Sequence, residues 1–282
     1  MDVMTTSKKS ILITGASSGI GLDAAETLQS QGWRVFASCR KISDVERLRI
    51  NGFSDAVHLD YEDPDSIAAA VSYVLTATGG TLDALFNNGA YAIPGPIEDL
   101  SRAAMTASFN ANFLGWHDLT VQLIPTMRAQ GHGRIVNCSS VLGLVTMPYR
   151  GAYCATKYAV ESWSDALRME MEGTGIHISL IEPGPIETEF RANAVRQFER
   201  WVDWENSPRV DEYRSGLRDQ LYNGSADNQF QKPSSAVTKK LLLAIESPRP
   251  KARYFVTVPT YGADILRRIL PVSLLDRVMK RG

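Results

Sequence analysis

Ser140, Tyr153 and Lys157 stand close together in the chain, the last two in the run Tyr153-Cys154-Ala155-Thr156-Lys157. A phenol is a poor acid or base alone, with a free pKa of roughly 10. An ammonium four positions along a helix lies on the same face, where its charge favours the phenolate and draws the phenol toward working pH. With a nearby hydroxyl to hold an oxygen, the three make a set suited to general acid–base chemistry. Tyr-x-x-x-Lys pairs also arise by chance in helices, so the reading depends on what surrounds this one.

The surroundings alternate. Ile11–Thr14 is an apolar run, Gly15–Gly21 a glycine-rich turn, Leu22–Gln31 an amphipathic stretch and Trp33–Ser38 a second apolar run, the pattern of a βαβ unit. Further strands are expected near Ala56–Leu59, Leu82–Asn87, Arg134–Ser139, His177–Ile181 and Arg253–Val258, with helices over Pro64–Ala77, Ser101–Gln130, Ala152–Gly173 and Ser234–Glu246. Strands alternating with helices predict an α/β fold, a Rossmann-type doubly wound parallel sheet, in one domain spanning residues 1–282. From about 187 to 232 the regularity fails: Trp201, Trp204, Tyr213, Tyr222 and Phe230 are scattered among breakers. An irregular, mobile lid over a substrate is expected there. The tail, about 259–282, spaces apolar and basic residues as a helix would, either to pack on its own domain or a subunit partner, which is the expectation, or to lie on a membrane surface.

Composition excludes several classes. Lys and Arg number 30 against 31 Asp and Glu, so no global field draws nucleic acid or anionic lipid. Cys39, Cys138 and Cys154 are too few and scattered for a disulfide framework or a zinc site, which leaves no metal site and a reducing, cytoplasmic setting as the expectation. The polar stretch Met1–Lys9 does not read as a signal peptide, and no apolar run approaches the roughly 20 residues that span a bilayer.

The segment Thr14-Gly15-Ala16-Ser17-Ser18-Gly19-Ile20-Gly21 sits between the first strand and first helix, where backbone amides and a helix N-terminus can hold a pyrophosphate. Its spacing is G-x-x-x-G-x-G rather than G-x-G-x-x-G. The second strand ends in Cys39-Arg40-Lys41, two cations and no carboxylate. A carboxylate there binds a ribose 2′-hydroxyl, whereas a cation accommodates a 2′-phosphate, so Arg40 and Lys41, with the hydroxyls of Ser17 and Ser18, point to NADP(H).

Together these residues resemble the short-chain dehydrogenase/reductase family, from about Ser10 to Arg191. The glycine motif, the Tyr153/Lys157 pair, Ser140 thirteen residues before the tyrosine, Asn112 and the Pro183-Gly184 turn with Thr188 carry the resemblance. Tyr149–Tyr153 and Ile181–Pro185 are similar to the branch of 17β-hydroxysteroid dehydrogenases, retinol dehydrogenases and bacterial aldehyde reductases. The resemblance implies Tyr153 as general acid in reduction and base in oxidation, and Lys157 as the group that lowers its pKa and holds the nicotinamide ribose. It further implies that Ser140, rather than its neighbour Ser139, donates to the carbonyl oxygen, and that Asn112 anchors a water leading from Lys157 to solvent. Asp60, with Tyr61 beside it, would meet the adenine, Asn88 would line the adenosine, and the Pro183–Thr188 turn, including Gly184 and Ile186, would hold the nicotinamide carboxamide. One departure stands out: the family's Asn-Asn-Ala-Gly is here Asn87-Asn88-Gly89-Ala90, which matters if the fourth position requires a positive φ.

An apolar wall over Val141–Tyr149 and Phe190–Phe198, with Tyr91–Pro96 at the rim, implies a small hydrophobic aldehyde, ketone or alcohol substrate. The family resemblance implies a homodimer or homotetramer built on the long helices. The alternative is a catalytically idle dinucleotide-binding sensor or scaffold, which has no need to keep all four proton-transfer residues.

Overall fold

The computed structural model describes residues 8–223 and 229–280. Met1–Ser7 of the polar N-terminal stretch, residues 224–228 of the expected lid and Arg281–Gly282 of the tail lie outside them. Seven strands form one sheet: β1 (Ser10–Ile13), β2 (Arg34–Cys39), β3 (Val57–His58), β4 (Ala84–Asn87), β5 (Gly133–Cys138), β6 (Ile176–Glu182) and β7 (Arg253–Phe255). Their order is β3-β2-β1-β4-β5-β6-β7, and every neighbouring pair is parallel. In register, Ile11 faces Val35 on one side and Ala84 on the other. The order reverses between β1 and β4, the switch point outside which open α/β sheets bind ligands.

Helices cover both faces. On one, α1 (Gly19–Ser30), α2 (Ile42–Ile50) and, from the far end of the chain, Ser235–Glu246 bury Leu28, Leu48 and Leu241 against Ile11, Ile13 and Phe86. On the other lie α3 (Pro64–Thr78), α5 (Gly115–Gln130) and α6 (Gly151–Glu170), with Ile67, Leu123 and Leu167 against Leu12, Leu85 and Ile135. Proline at the first turn, the Asp63 side chain accepting from the Asp65 amide at 3.1 Å and Gly79 at φ 70° delimit α3. The expected helix over Ser101–Gln130 is two helices, α4 (Arg102–Phe109) and α5, joined by a π-helical turn at Asn110–Leu114. The α2 helix was not anticipated, because only Val45 and Leu48 in it are buried.

The region expected to be irregular is mostly helical. It comprises α7 (Phe190–Trp201), a short α8 (Val210–Glu212), a π turn over Tyr213–Leu217 and α9 (Arg218–Asn223). Phe198, Val202, Tyr213 and Leu221 pack on Tyr91 and Ile93 and on Ala104 of α4, so the aromatics form a core of their own. Both ends of the region are tied together: Ile186 pairs with Lys232, and the Glu187 amide donates to the Lys232 carbonyl at 2.9 Å. The chain closes with Ser235–Glu246 (α10), β7 and the tail helices α11 (Val258–Ile269) and α12 (Val272–Met279), helical as their spacing predicted. Among the described residues no helix is long and apolar enough to cross a membrane.

Two polar networks fix α6. Inside, Asn87 Nδ2 donates to Thr120 at 3.1 Å and Asn137 Oδ1 at 2.9 Å, and Asn137 Nδ2 donates to Ser164 at 2.9 Å, joining β4, β5, α5 and α6. Outside, Arg253 bonds Glu161 and Asp165 at 2.9 and 2.8 Å and lies 3.2 Å from Glu182. One guanidinium thus serves three carboxylates, and Glu182, fully buried with neither oxygen hydrogen-bonded, is the one left over. Burial, then the neighbouring Glu161 charge, pushes its carboxyl well above the ordinary range. A raised folded-state pKa contributes stability at low pH that is lost as pH rises above the ordinary value of 4.5 toward the raised one. Glu182→Gln removes that loss, so the Tm of the variant minus that of wild type should grow as pH is raised from 5 to 9 in thermal melts; a constant difference refutes the assignment.

Candidate active site

Every segment singled out by the sequence, apart from Asn112 on its π turn, starts or ends at the C-terminal edge of the sheet. Thr14, just past β1, is the hub. Its Oγ1 donates to the Phe86 carbonyl at 3.2 Å, accepts from the Asn88 and Gly89 amides at 2.9 and 3.2 Å, and lies 2.7 Å from the Tyr61 hydroxyl. Gly15 (φ 65°) then passes so close to Gly89 that a Cβ on Gly15 would sit 2.6 Å from the Gly89 Cα. A Cβ on Gly19 (φ 55°) would meet Thr188 at 2.9 Å, so the turn after β6 closes over the glycine loop. The first turn of α1 has no acidic residue, and Ser18 makes no side-chain cap, leaving its amides for an anion. Gly15, Ser17, Ser18, Gly19, Ile20 and Gly21 therefore fit a pyrophosphate group on the chemistry of the loop itself.

Beside this loop Arg40 and Lys41 are solvent-exposed at the end of β2. Sequence reading missed a third cation, Arg47 of α2, which donates to the Ser17 carbonyl at 2.8 Å and to Asp44 at 2.9 Å. Tyr61 turns inward: its hydroxyl is within 2.7–2.8 Å of Thr14 and Asn87, and its backbone packs against Gly115 of α5. The Asn88 amide likewise donates to the Thr14 carbonyl at 3.0 Å. Asp60 accepts from the Glu62 amide at 3.0 Å and does not cap α3, whose cap is Asp63. Ala90 has no positive φ; among the described residues Tyr149 (φ 61°) is the one non-glycine that does. The close approach falls on Gly89, so the Gly-Ala order suits this loop.

At the end of β5 the phenol, ammonium and hydroxyl come together. Lys157 is 1% exposed and donates to the Cys138 carbonyl at 2.8 Å. Its Nζ lies 4.4 Å from the Trp116 ring centre and 5.5 Å from that of Tyr153. Trp116, also missed from sequence, is held by its indole N–H donating to the Gly89 carbonyl at 2.9 Å; its place one turn after Asn112 was the available signal. Burial pulls Lys157 down to about 8, opposed by Cys138 and Glu161. Burial raises the Tyr153 phenol, and the neighbouring Ser140 hydroxyl is the group that lowers it. Ser139 instead lies beside Glu161, with its hydroxyl buried and making no hydrogen bond among the described residues. The Asn112 amide is committed to both backbone groups of Tyr91, at 3.0 and 2.8 Å, and to Thr156 at 3.2 Å, and does not reach Lys157. The Phe190 ring stacks edge-on against Tyr153 at 5.3 Å, with Ala92, Leu142 and Ala194 around it. Pro183 accepts from the Val141 amide at 2.8 Å, linking the turn after β6 to this centre.

Residues 9–199 match the model of the short chain dehydrogenase family. The chain belongs to that family. It is 43% identical over 273 residues to the uncharacterized oxidoreductase YbbO of Escherichia coli, covering 97% of this chain and 94% of that one. It is 32% identical to human 17-beta-hydroxysteroid dehydrogenase type 1, covering 88% of this chain and 77% of that one. Among solved structures, a short-chain dehydrogenase/reductase from Burkholderia phymatum in complex with NAD has a TM-score of 0.77 at 24% identity, covering 93% of each chain. A single-residue variant of actinorhodin polyketide ketoreductase with NADPH has a TM-score of 0.70 at 25% identity, covering 88% of this chain and 95% of that one. The chain is thus an oxidoreductase of the short-chain dehydrogenase family, whose neighbours bind NAD or NADP.

A lysine held at about 8 in the folded short-chain dehydrogenase, against an ordinary 10.5, costs stability at all pH values below 8 and regains it as pH rises toward 10.5. Lys157→Met should therefore raise the Tm of the cofactor-free protein at pH 7 by a few degrees, for a relief on the order of 1–3 kcal/mol. A lower Tm would show that the ammonium's contacts outweigh its burial.

Proposed function

We propose that this oxidoreductase is an NADP(H)-dependent reductase of hydrophobic aldehydes or ketones. The observation that carries the reading is the convergence of Ser140 and Lys157 on Tyr153 below an apolar wall of Leu142, Phe190 and Ala194. The glycine cradle would hold NADP(H), which when bound would supply or accept hydride at the carbonyl carbon. Tyr153 gives its phenolic proton to the carbonyl oxygen, and Ser140 donates a hydrogen bond that orients that oxygen. Lys157 holds the nicotinamide ribose hydroxyls and, with its lowered pKa, returns a proton to the tyrosine. The water that feeds Lys157 is anchored by the backbone of the Asn110–Leu114 turn, since the Asn112 amide is taken. Asp60 and Asn88 line the adenosine, Gly89 and Ala90 approach its ribose, and Pro183, Gly184, Ile186 and Thr188 hold the carboxamide.

Arg40, Lys41 and Arg47 form the pole that accepts a 2′-phosphate. Residues 187–232 serve as the substrate lid of a one-domain enzyme, hinged where Ile186 meets Lys232. Exposed Leu114, Val121 and Tyr158 on and beside the long helices α5 and α6 support a homodimer or homotetramer, and three buried, unpaired cysteines support a cytoplasmic setting. With NADPH as cofactor the cellular direction is reduction.

Tyr153→Phe should lower NADPH-dependent reduction of nonanal by roughly 10²–10⁴-fold, the usual contribution of a positioned acid. NADPH binding, followed by its fluorescence, should be retained, and a rate near wild type refutes the mechanism. Arg40→Ala should lower the ratio of kcat/KM with NADPH to that with NADH by about tenfold, one charge-assisted hydrogen bond. An unchanged ratio would overturn the assignment of Arg40.

A further inference from the structure

Between the Met147–Arg150 loop, which leads into the first turn of α6, and α7, α9 and the end of α12 lies a cavity of about 240 Å³. Met147, Phe198 and Leu221 give it apolar walls, yet among the described residues it is also lined by three cations, Arg150, Arg218 and Lys280, and by no carboxylate. Nearby acids are already engaged. Glu212 accepts from Arg209 and from the Tyr149 hydroxyl, Asp99 from Ser207 and Tyr213, and Glu199 from Tyr222.

Arg150 is the sharpest case. Its half-buried guanidinium makes no hydrogen bond or ion pair with any described residue. The charge that acts on it most is another cation, Arg191, and it stands just before the first turn of α6, the positive end of that helix. Arg218 stacks on Trp204 at 4.1 Å with its Nε buried and without a partner. A cation withdrawn from water and left unpaired, as Arg150 is, is destabilising unless an anion joins it. The loop that brings Arg150 there contains Tyr149, held in the left-handed region, a strain that persists where the surrounding structure imposes it.

The geometry points to an anion subsite within the substrate cleft: the cavity takes a carboxylate at the far end of an apolar carbonyl substrate, so that the enzyme prefers oxo acids to plain aldehydes. Arg150 precedes Tyr153 by one helical turn, which sets the carboxylate and the reacting carbonyl along one face of α6. Guanidinium groups suit a carboxylate because they bind it through paired hydrogen bonds. This inference rests on the reductase reading above, with Tyr153 as the acid.

The test compares 9-oxononanoate with nonanal, which share a chain length and differ in the terminal carboxylate. Wild type with NADPH should show a kcat/KM at least about tenfold higher for the oxo acid, the value of one charge-assisted hydrogen bond. Arg150→Met should bring the ratio toward one, Arg150→Lys should restore part of it, and added salt should lower it in wild type without any substitution. Equal kcat/KM values in wild type, or a ratio untouched by Arg150→Met, overturns the subsite. If neither aldehyde is reduced, the reductase reading fails on its own. Calorimetric titration with nonanedioate then decides the subsite: binding to wild type that is lost in Arg150→Met supports it, and no binding to wild type refutes it.

Discussion

A buried ammonium is the constraint from which the rest of this structure follows. Lys157 is withdrawn from water at the end of β5 with no carboxylate in contact among the described residues; a carbonyl and two aromatic faces take up its charge. Such an arrangement tolerates little displacement, because a carbonyl and a ring quadrupole act only at short range. Trp116 must stay where it is, and the Gly89 carbonyl holds it. Gly89 must in turn lie against Gly15. The ammonium, the indole and the phosphate loop are thereby parts of one rigid assembly, although they come from α6, α5 and the turns after β1 and β4.

That assembly explains which features were legible in the sequence. The glycine spacing, the Arg40-Lys41 pair and Tyr-x-x-x-Lys are local, and each can be read within a few residues. The alternation of strands and helices gave the doubly wound sheet for the same reason. Trp116 and Arg47 were not legible, since each acts across the fold on a backbone carbonyl, and a carbonyl leaves no mark in the sequence. Neither was the π turn at Asn110–Leu114, where the apolar periodicity runs on through a change in backbone bonding. Tyr61 and the amides of Asn88 and Asn112 proved to be structural in their side-chain contacts: the polar groups that position a site also satisfy the buried strand ends around it.

Residues 187–232 show a different limit. Proline and glycine at 208 and 216 read as breakers, and the aromatics between them as scattered. Yet Phe190, Ala194 and Phe198 are four residues apart, the stripe of a helix, and they meet Tyr153 at one end and Tyr213 at the other. The partner surface for that stripe is the Tyr91–Ile93 segment, about a hundred residues earlier, so the stripe could be recognised only once the sheet had placed both. The same small core fixes the walls of the cavity beside Arg150.

The α6 helix carries the last step of the argument on a single stripe. Tyr153, Lys157, Glu161 and Asp165 recur every four residues, and Arg253 of β7 closes the row on the last two. Each group acts on the next. Burial tends to discharge Lys157, and Glu161 opposes this only while it is ionised. Burial also favours neutral Glu161, and Ser139 and Arg253 oppose that in turn. The protonation of the lysine beside the phenol is therefore set partly by an ion pair one turn and more behind it. Glu182 adds to this balance, because a neutral Glu182 leaves the Arg253 guanidinium to the two carboxylates of α6. A buried acid that looks purely structural thus acts through Arg253 and Glu161 on the charge that faces Tyr153.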